Sequence, residues 1–254
     1  LIWWTRPSAL EEFMIPNVIN WTVPDFLSLP DKNTKLVTSI AKFPEWNEKN
    51  VRTIRTRFQN YEGGEIIYQN ITGMAYREIY HDLFRLLFEP SPAIAKILRE
   101  ELSKANLTPG HYAVAHHRVF YARSLRKPDY ITNTSINSVN CASQLRPGGP
   151  VYFASDSLEA LSTVRNYATK NSLAITTIEN QEPLHLDRAG NWSDRKPSDF
   201  YPIFVDLYLM GMGRCMSYGQ GGFGRFGLLL SYNASCSNRH IWNKQTQYCE
   251  WRKV

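Results

Sequence analysis

From Ile203 to Leu230 the chain is an apolar run broken by one acid, Asp206, and by one glycine-rich turn. The run predicts a helix, then a short buried strand through Arg214, Cys215 and Met216. The turn, Gln220-Gly221-Gly222-Phe223-Gly224-Arg225, then opens a second apolar helix carrying Phe226, Leu228, Leu229 and Leu230. A strand, a glycine turn and a helix in that order can hold an anion: backbone N–H groups approach it, and the helix N-terminus adds partial positive charge. A tight turn without a ligand has the same pattern, so both readings stand here.

Upstream, strand-like and helix-like stretches alternate. Residues 111–120 are a short apolar strand ending in His116-His117-Arg118. Residues 121–147 are polar and predict a loop, with a short helix around Ser135 to Ser143. Val151 to Asp156 is a strand ending in an acid. Ser157 to Lys170 is a helix, with Ser157 as its cap and Leu158, Leu161, Val164 and Tyr167 as its apolar face. Ala174 to Ile178 is a further strand, followed by a polar loop from Glu179 to Phe200. This alternation predicts an α/β fold with a doubly wound parallel sheet in the C-terminal half. Residues after Ser231 predict only a polar tail.

The first hundred residues are less regular. Leu36 to Ala41 and Val51 to Arg57 predict strands, and Gly63-Gly64 a turn. Ile71 to Phe88 carries apolar residues at helical spacing and is stopped by Pro90 and Pro92. A second helix runs from Pro92 to Leu102, with Ser91 as N-cap and Pro92 in the first turn. Asn106 to Gly110 is a linker, so the predicted organisation is an N-terminal domain over 1–108 and a C-terminal domain over 109–254.

Hydrophobic residues make up 43% and charged residues 20% of the 254, the balance of a soluble globular protein with a sizeable core. The net charge is +6 without a long basic run, which argues against nucleic acid and fits a small anionic ligand. No stretch is long and apolar enough to span a membrane. The chain opens on Leu1 without an initiator Met, and is expected to be a fragment or a luminal portion whose N-terminal targeting segment or anchor lies outside it. Six Asn-x-Ser/Thr acceptors, at Asn20, Asn70, Asn106, Asn133, Asn191 and Asn233, point to the secretory pathway. Of the four cysteines, Cys236 and Cys249 are close enough in sequence to pair, Cys215 reads as a buried free thiol, and Cys141 has no evident partner. The absence of Cys-x-x-Cys and His-x-x-x-His spacing predicts no metal site.

Three motifs fall in order along the predicted sheet. His116-His117-Arg118 resembles the His-x-Arg motif of the fucosyltransferase superfamily that includes the α1,6-, nodulation-type and protein O-fucosyltransferases. Val151 to Asp156 resembles that superfamily's second block, and Asp206 through Arg225 its third, with Gln220-Gly221 where the family usually has Ser-Ser. The resemblance covers residues 110–235. It implies a GT-B architecture of two Rossmann-like halves and a metal-independent inverting transfer of fucose from GDP-fucose to a glycan or glycoprotein hydroxyl. It implies no cofactor beyond that donor, and a Golgi-luminal location with any membrane contact made through a missing N-terminal anchor. Carried over, Arg118 holds the donor diphosphate and His116, Asp156 and Asp206 complete the donor site with Gln220, Gly221, Gly222 and Arg225. Fixed cations there would favour the departing nucleotide. An inverting transferase needs a base; the candidates are His117, Asp129 and Asp187. The alternatives are a catalytically silent relative that binds a nucleotide sugar or a glycan, and an unrelated α/β nucleotide-binding protein.

Overall fold

The computed structural model describes residues 10–20, 76–120, 129–178, 195–242 and 247–251. The strands predicted at 36–41 and 51–57, the turn at 63–64, and Asp187 lie outside them. Among the described residues, no helix is long and apolar enough to cross a membrane.

The fold is α/β, as predicted. A six-stranded sheet has the order β5 (Ile175–Thr176), β4 (Val151–Ser155), β3 (Ala113–His117), β6 (Cys215–Tyr218), β7 (Ser237–Trp242), β8 (Gln247–Trp251). The first five are parallel and β8 is antiparallel at one edge. The chain starts in the middle at β3, winds outward through β4 to β5, then returns to β6 on the other side of β3. The reversal between β3 and β6 is the topological switch point, where ligands bind beyond the carboxyl ends of such sheets. Every residue of β3 and β4 is buried, as both faces of a central parallel strand must be.

Alternate strand residues feed two cores. One packs Val114, Tyr152, Ala154 and Met216 against α5 (Tyr201–Met212) and α6 (Gly222–Leu230). The other packs Ala113, Ala115, Val151 and Phe153 against α3 (Asp129–Leu145) and α4 (Leu158–Lys170). The N-terminal helices α1 (Tyr76–Leu87) and α2 (Pro92–Lys104) join the first side, α1 against α6 and α2 against α5. A short antiparallel pair, β1 (Met14–Pro16) with β2 (Phe88–Pro90), ties the start of the chain to α1 and α2. Phe13 stacks on Phe204 of α5 with ring centroids 4.2 Å apart. The boundary expected after residue 108 falls in the turn between α2 and β3, and the apolar cluster that contains Ile94, Leu98 and Phe204 runs across it.

Ser91 caps α2, its hydroxyl accepting from the Ile94 N–H at 3.5 Å, and Pro92 takes the first turn where its missing N–H costs nothing. Three expectations are corrected. The segment 121–147 contains a full helix, α3, rather than a loop with a short one, because its polar Thr134, Ser135, Asn137 and Ser138 are buried and hide its helical period. The polar tail contains β7 and β8, which close the sheet. The cysteines pair Cys141–Cys249 and Cys215–Cys236, so Cys236 does not meet Cys249 and Cys215 is no free thiol. Strand pairing sets this: Met216 lies opposite Ser237, which brings Cys215 beside Cys236, while β8 at the edge meets α3.

Candidate functional site

The pleat of β3 sends its last two residues to opposite faces. His116 turns toward α6, its ring centroid 5.6 Å from that of Phe223. A Cβ on Gly224 would stand 2.5 Å from His116 Nδ1, so only glycine lets the helix come this close. Burial is the main reason His116 is held down to about 4; Asp156 opposes it, and the neighbouring His117 and Arg118 act in the same direction as burial. His117 turns toward α3, with Nδ1 3.0 Å from the Ser135 hydroxyl. It is 2% exposed, and burial pushes it down to about 4 as well. Both imidazoles are therefore neutral at physiological pH.

Arg118 follows, just beyond the strand. Its Nε lies 4.0 Å from Asp156 Oδ2 at the end of β4. The same carboxylate accepts from the Val119 N–H at 2.6 Å and the Phe120 N–H at 3.2 Å. Asp156 thus fixes the direction in which the chain leaves β3 and with it the root of Arg118. The Arg118 stem lies along Gly221: a Cβ there would be 2.7 Å from Arg118 Cδ. Gly221 has φ +98° and ψ 156°, a conformation that side chains rarely adopt. The glycine turn and the arginine therefore meet across the switch point between β3 and β6. Arg225 is exposed on the first turn of α6, the helix that Gly221 precedes.

On the α3 side of this meeting lies a cleft of about 90 Å³. Its walls include His117, Arg118 and Gln220, all singled out in the sequence, with Thr134, Arg239 and His240, which were not. Arg239 and His240 come from β7, opposite Tyr218 and just past the end of β6. His240 reaches the cleft because Gly219 has no side chain; a Cβ there would be 2.5 Å from His240 Nε2. Its Nδ1 sits 3.2 Å from the Ser217 hydroxyl. Arg239 and His240 stood in what the sequence presented as a polar tail. The burial of Ser237, Asn238 and His240 becomes meaningful only once β7 is paired with β6.

Of the remaining site residues predicted from sequence, Asp206 and Asp129 do not line this cleft. Asp206 is on α5, beneath the sheet, and accepts a hydrogen bond from the Tyr152 hydroxyl near the start of β4. Burial pushes its carboxyl up to about 7, the Tyr152 bond acting against it. Asp129 is exposed as the first residue of α3. Gln220, Gly221 and Gly222 are all on the surface of the turn. Among the described residues no group of three or more His, Cys, Asp or Glu side chains is disposed to hold a metal ion.

No protein-family model matches this chain, and no curated protein matches it. Among solved structures, it is similar to two crystal structures of NodZ alpha-1,6-fucosyltransferase. The first, co-crystallised with GDP, is 12% identical with a TM-score of 0.43, over 66% of this chain and 51% of that one. The second, soaked with GDP-fucose, is 14% identical with a TM-score of 0.49, over 94% of this chain and 82% of that one. The chain thus spans about half the length of the first.

Proposed function

We propose that this protein binds a nucleotide diphosphate sugar at the carboxyl edge of β3 and β6 and acts as a glycosyltransferase of the metal-independent inverting kind, with GDP-fucose as donor and a glycan or glycoprotein hydroxyl as acceptor. The observation that carries this reading is the packing of Arg118 against Gly221 at the switch point. A guanidinium offers a forked set of donors to a diphosphate, and the turn leads into a helix N-terminus. The ordered motifs at 116–118, 151–156 and 206–225 support the same reading from sequence. Pairing of all four cysteines supports passage through an oxidising compartment, in keeping with the acceptor asparagines and a Golgi location.

Titration calorimetry against GDP, GDP-fucose, GDP-mannose and UDP-sugars tests the donor. Arg118→Ala is expected to weaken donor binding by about 2–4 kcal/mol, as for truncating a buried charge-paired group. Unchanged affinity in that variant, or no binding of any nucleotide sugar, overturns the reading.

One observation favours a second reading, a silent binder. His117, the histidine offered as base, is enclosed and held down to about 4, a weak proton acceptor. The two part company when GDP-fucose is incubated with the protein and a glycan library: consumption of the donor marks a transferase, and binding without consumption marks the silent form.

A further inference from the structure

The cleft beside Arg118 has the chemistry of an oxyanion pocket. His117 Nε2, Arg239 Nε and His240 Nε2 are all buried and have no hydrogen-bond partner among the described residues; Thr134 lines the cleft beside them, its side chain hydrogen-bonded to Tyr130. His117, His240 and Thr134 are only 2%, 4% and 3% exposed. Groups so enclosed normally have partners, and three of them line this one cleft. Two guanidinium groups line the cleft and no carboxylate does. That excludes a cation and favours an anion. The histidines are arranged alike: each sets Nδ1 against a buried serine hydroxyl, Ser135 for His117 and Ser217 for His240. Their rings stand 5.9 Å apart at 88°. When each serine donates to Nδ1, both Nε2 atoms carry the proton and become donors.

The volume limits the guest. About 90 Å³ is far below the roughly 300–1,000 Å³ of a pocket for a whole drug-sized ligand. It suits one tetrahedral group, with the rest of any larger molecule lying outside along the sheet edge.

We propose that Arg239, His240, His117 and Thr134, with Arg118, form a pocket for a single phosphate group, and that Arg239 is its second guanidinium. As a subsite for a nucleotide the pocket rests on the donor-site reading above, since Arg118 is shared. As a phosphate pocket it stands apart from that reading, because the same groups would take inorganic phosphate.

The test uses the whole chain and two kinds of measurement. Calorimetric titrations of wild type, Arg239→Gln and Arg239→Lys are made with GDP, GMP, guanosine and inorganic phosphate. Histidine ¹⁵N resonances of the wild type are followed in the same titrations. Arg239→Gln is expected to weaken every phosphate-bearing probe that the wild type binds by about tenfold or more, to leave any guanosine binding unchanged, and to be partly rescued by Arg239→Lys. The Nε2 signals of His117 and His240 are expected to move with phosphate or GDP and stay still with guanosine. Binding of GDP but not phosphate assigns the pocket to a nucleotide; binding of both shows that it also takes the free ion. Equal affinity in wild type and Arg239→Gln, or unmoved Nε2 signals at saturation, overturns the pocket while leaving the donor site standing. Phosphate binding without any nucleotide binding does the reverse. Failure of every phosphate-bearing probe to bind wild type overturns both.

Discussion

The two faces of the central sheet solve the same packing problem with different materials. The face covered by α5 and α6 is built from large apolar side chains, Phe204, Leu207, Leu209, Met210, Leu228 and Leu230 among them. Its one acid, Asp206, is sealed against Tyr152. The face covered by α3 mixes a few large apolar side chains, Phe153, Val151 and Val139, with many small and polar ones: Ala142, Ser135, Ser138 and Asn137 on the helix, Ala113, Ala115 and Ser217 on the strands. Asn238 donates to the Cys141 carbonyl there at 2.8 Å, and both disulfides staple this side. Burial of large apolar groups holds a helix to a sheet without help. A face with serines and asparagines set among its apolar groups gains less from burial, and cross-links make up part of the difference. It is also the face whose histidines and threonine open into the cleft. Stability and site chemistry are therefore divided between the two sides of one sheet.

The sharpest way to break this comparison is to cut the staples. Cys141–Cys249 closes 108 residues and Cys215–Cys236 only 21. By chain entropy, replacing the first pair with alanines is expected to cost about 4–5 kcal/mol and the second about 3 kcal/mol. Denaturant titration of the two double variants measures both losses. Negligible losses would mean that the α3 face holds itself without cross-links.

A second test sets the buried histidines of both faces against Asp206 by pH. Burial holds His116 and His117 at about 4 and His240 well below its ordinary 6.5. Between those values the unfolded chain binds protons that the folded one does not, so their contribution is full above pH 6.5 and is lost on acidification. Asp206 has the opposite sign. Its value is raised from 3.8 to about 7, so its contribution is full below 3.8 and is lost as pH rises through 7. Within pH 4–6.5 it opposes the histidines. Asp206→Asn removes that opposition, and stability should then fall more steeply on acidification by about 1.4 kcal/mol per pH unit. Urea midpoints of wild type and variant across that window check the slope; parallel slopes would mean that Asp206 is ionised in the folded protein.

The smallest expected effect sits at the edge where the faces meet. Gly221→Ala forces a side chain into a conformation that only glycine takes readily, at about 1–3 kcal/mol, and pushes Arg118 aside. Thermal unfolding together with GDP titration checks it. A loss of nucleotide affinity larger than the loss of stability would tie the site to the turn; intact affinity would detach it.

Much of this could be read from residue order. The strands at 113–117 and 151–155 announced themselves as apolar runs, and α4 as an amphipathic helix with its Ser157 cap. Arg118 and Gly221 could each be picked out because strand ends and glycine turns have local signatures. Helix α3 was hard to see because its buried face is polar, so hydrophobic periodicity does not mark it. Strands β7 and β8 were missed for a related reason: Ser237, Asn238 and His240 are buried polar residues that a sequence presents as a tail. The cysteine pairs depended on which strands become neighbours, a property of sheet order and not of sequence spacing.

By itself, then, the sequence determined the local grammar: which stretches bury both faces, where helices are capped, and where a turn must contain glycine. Only the tertiary structure decided that the chain returns from β5 to the far side of β3, which sets Arg118 against Gly221 and brings Arg239 and His240 to the same cleft. The physical reason is that local preferences act over a few residues, whereas a parallel sheet is held by hydrogen bonds and burial between segments a hundred residues apart.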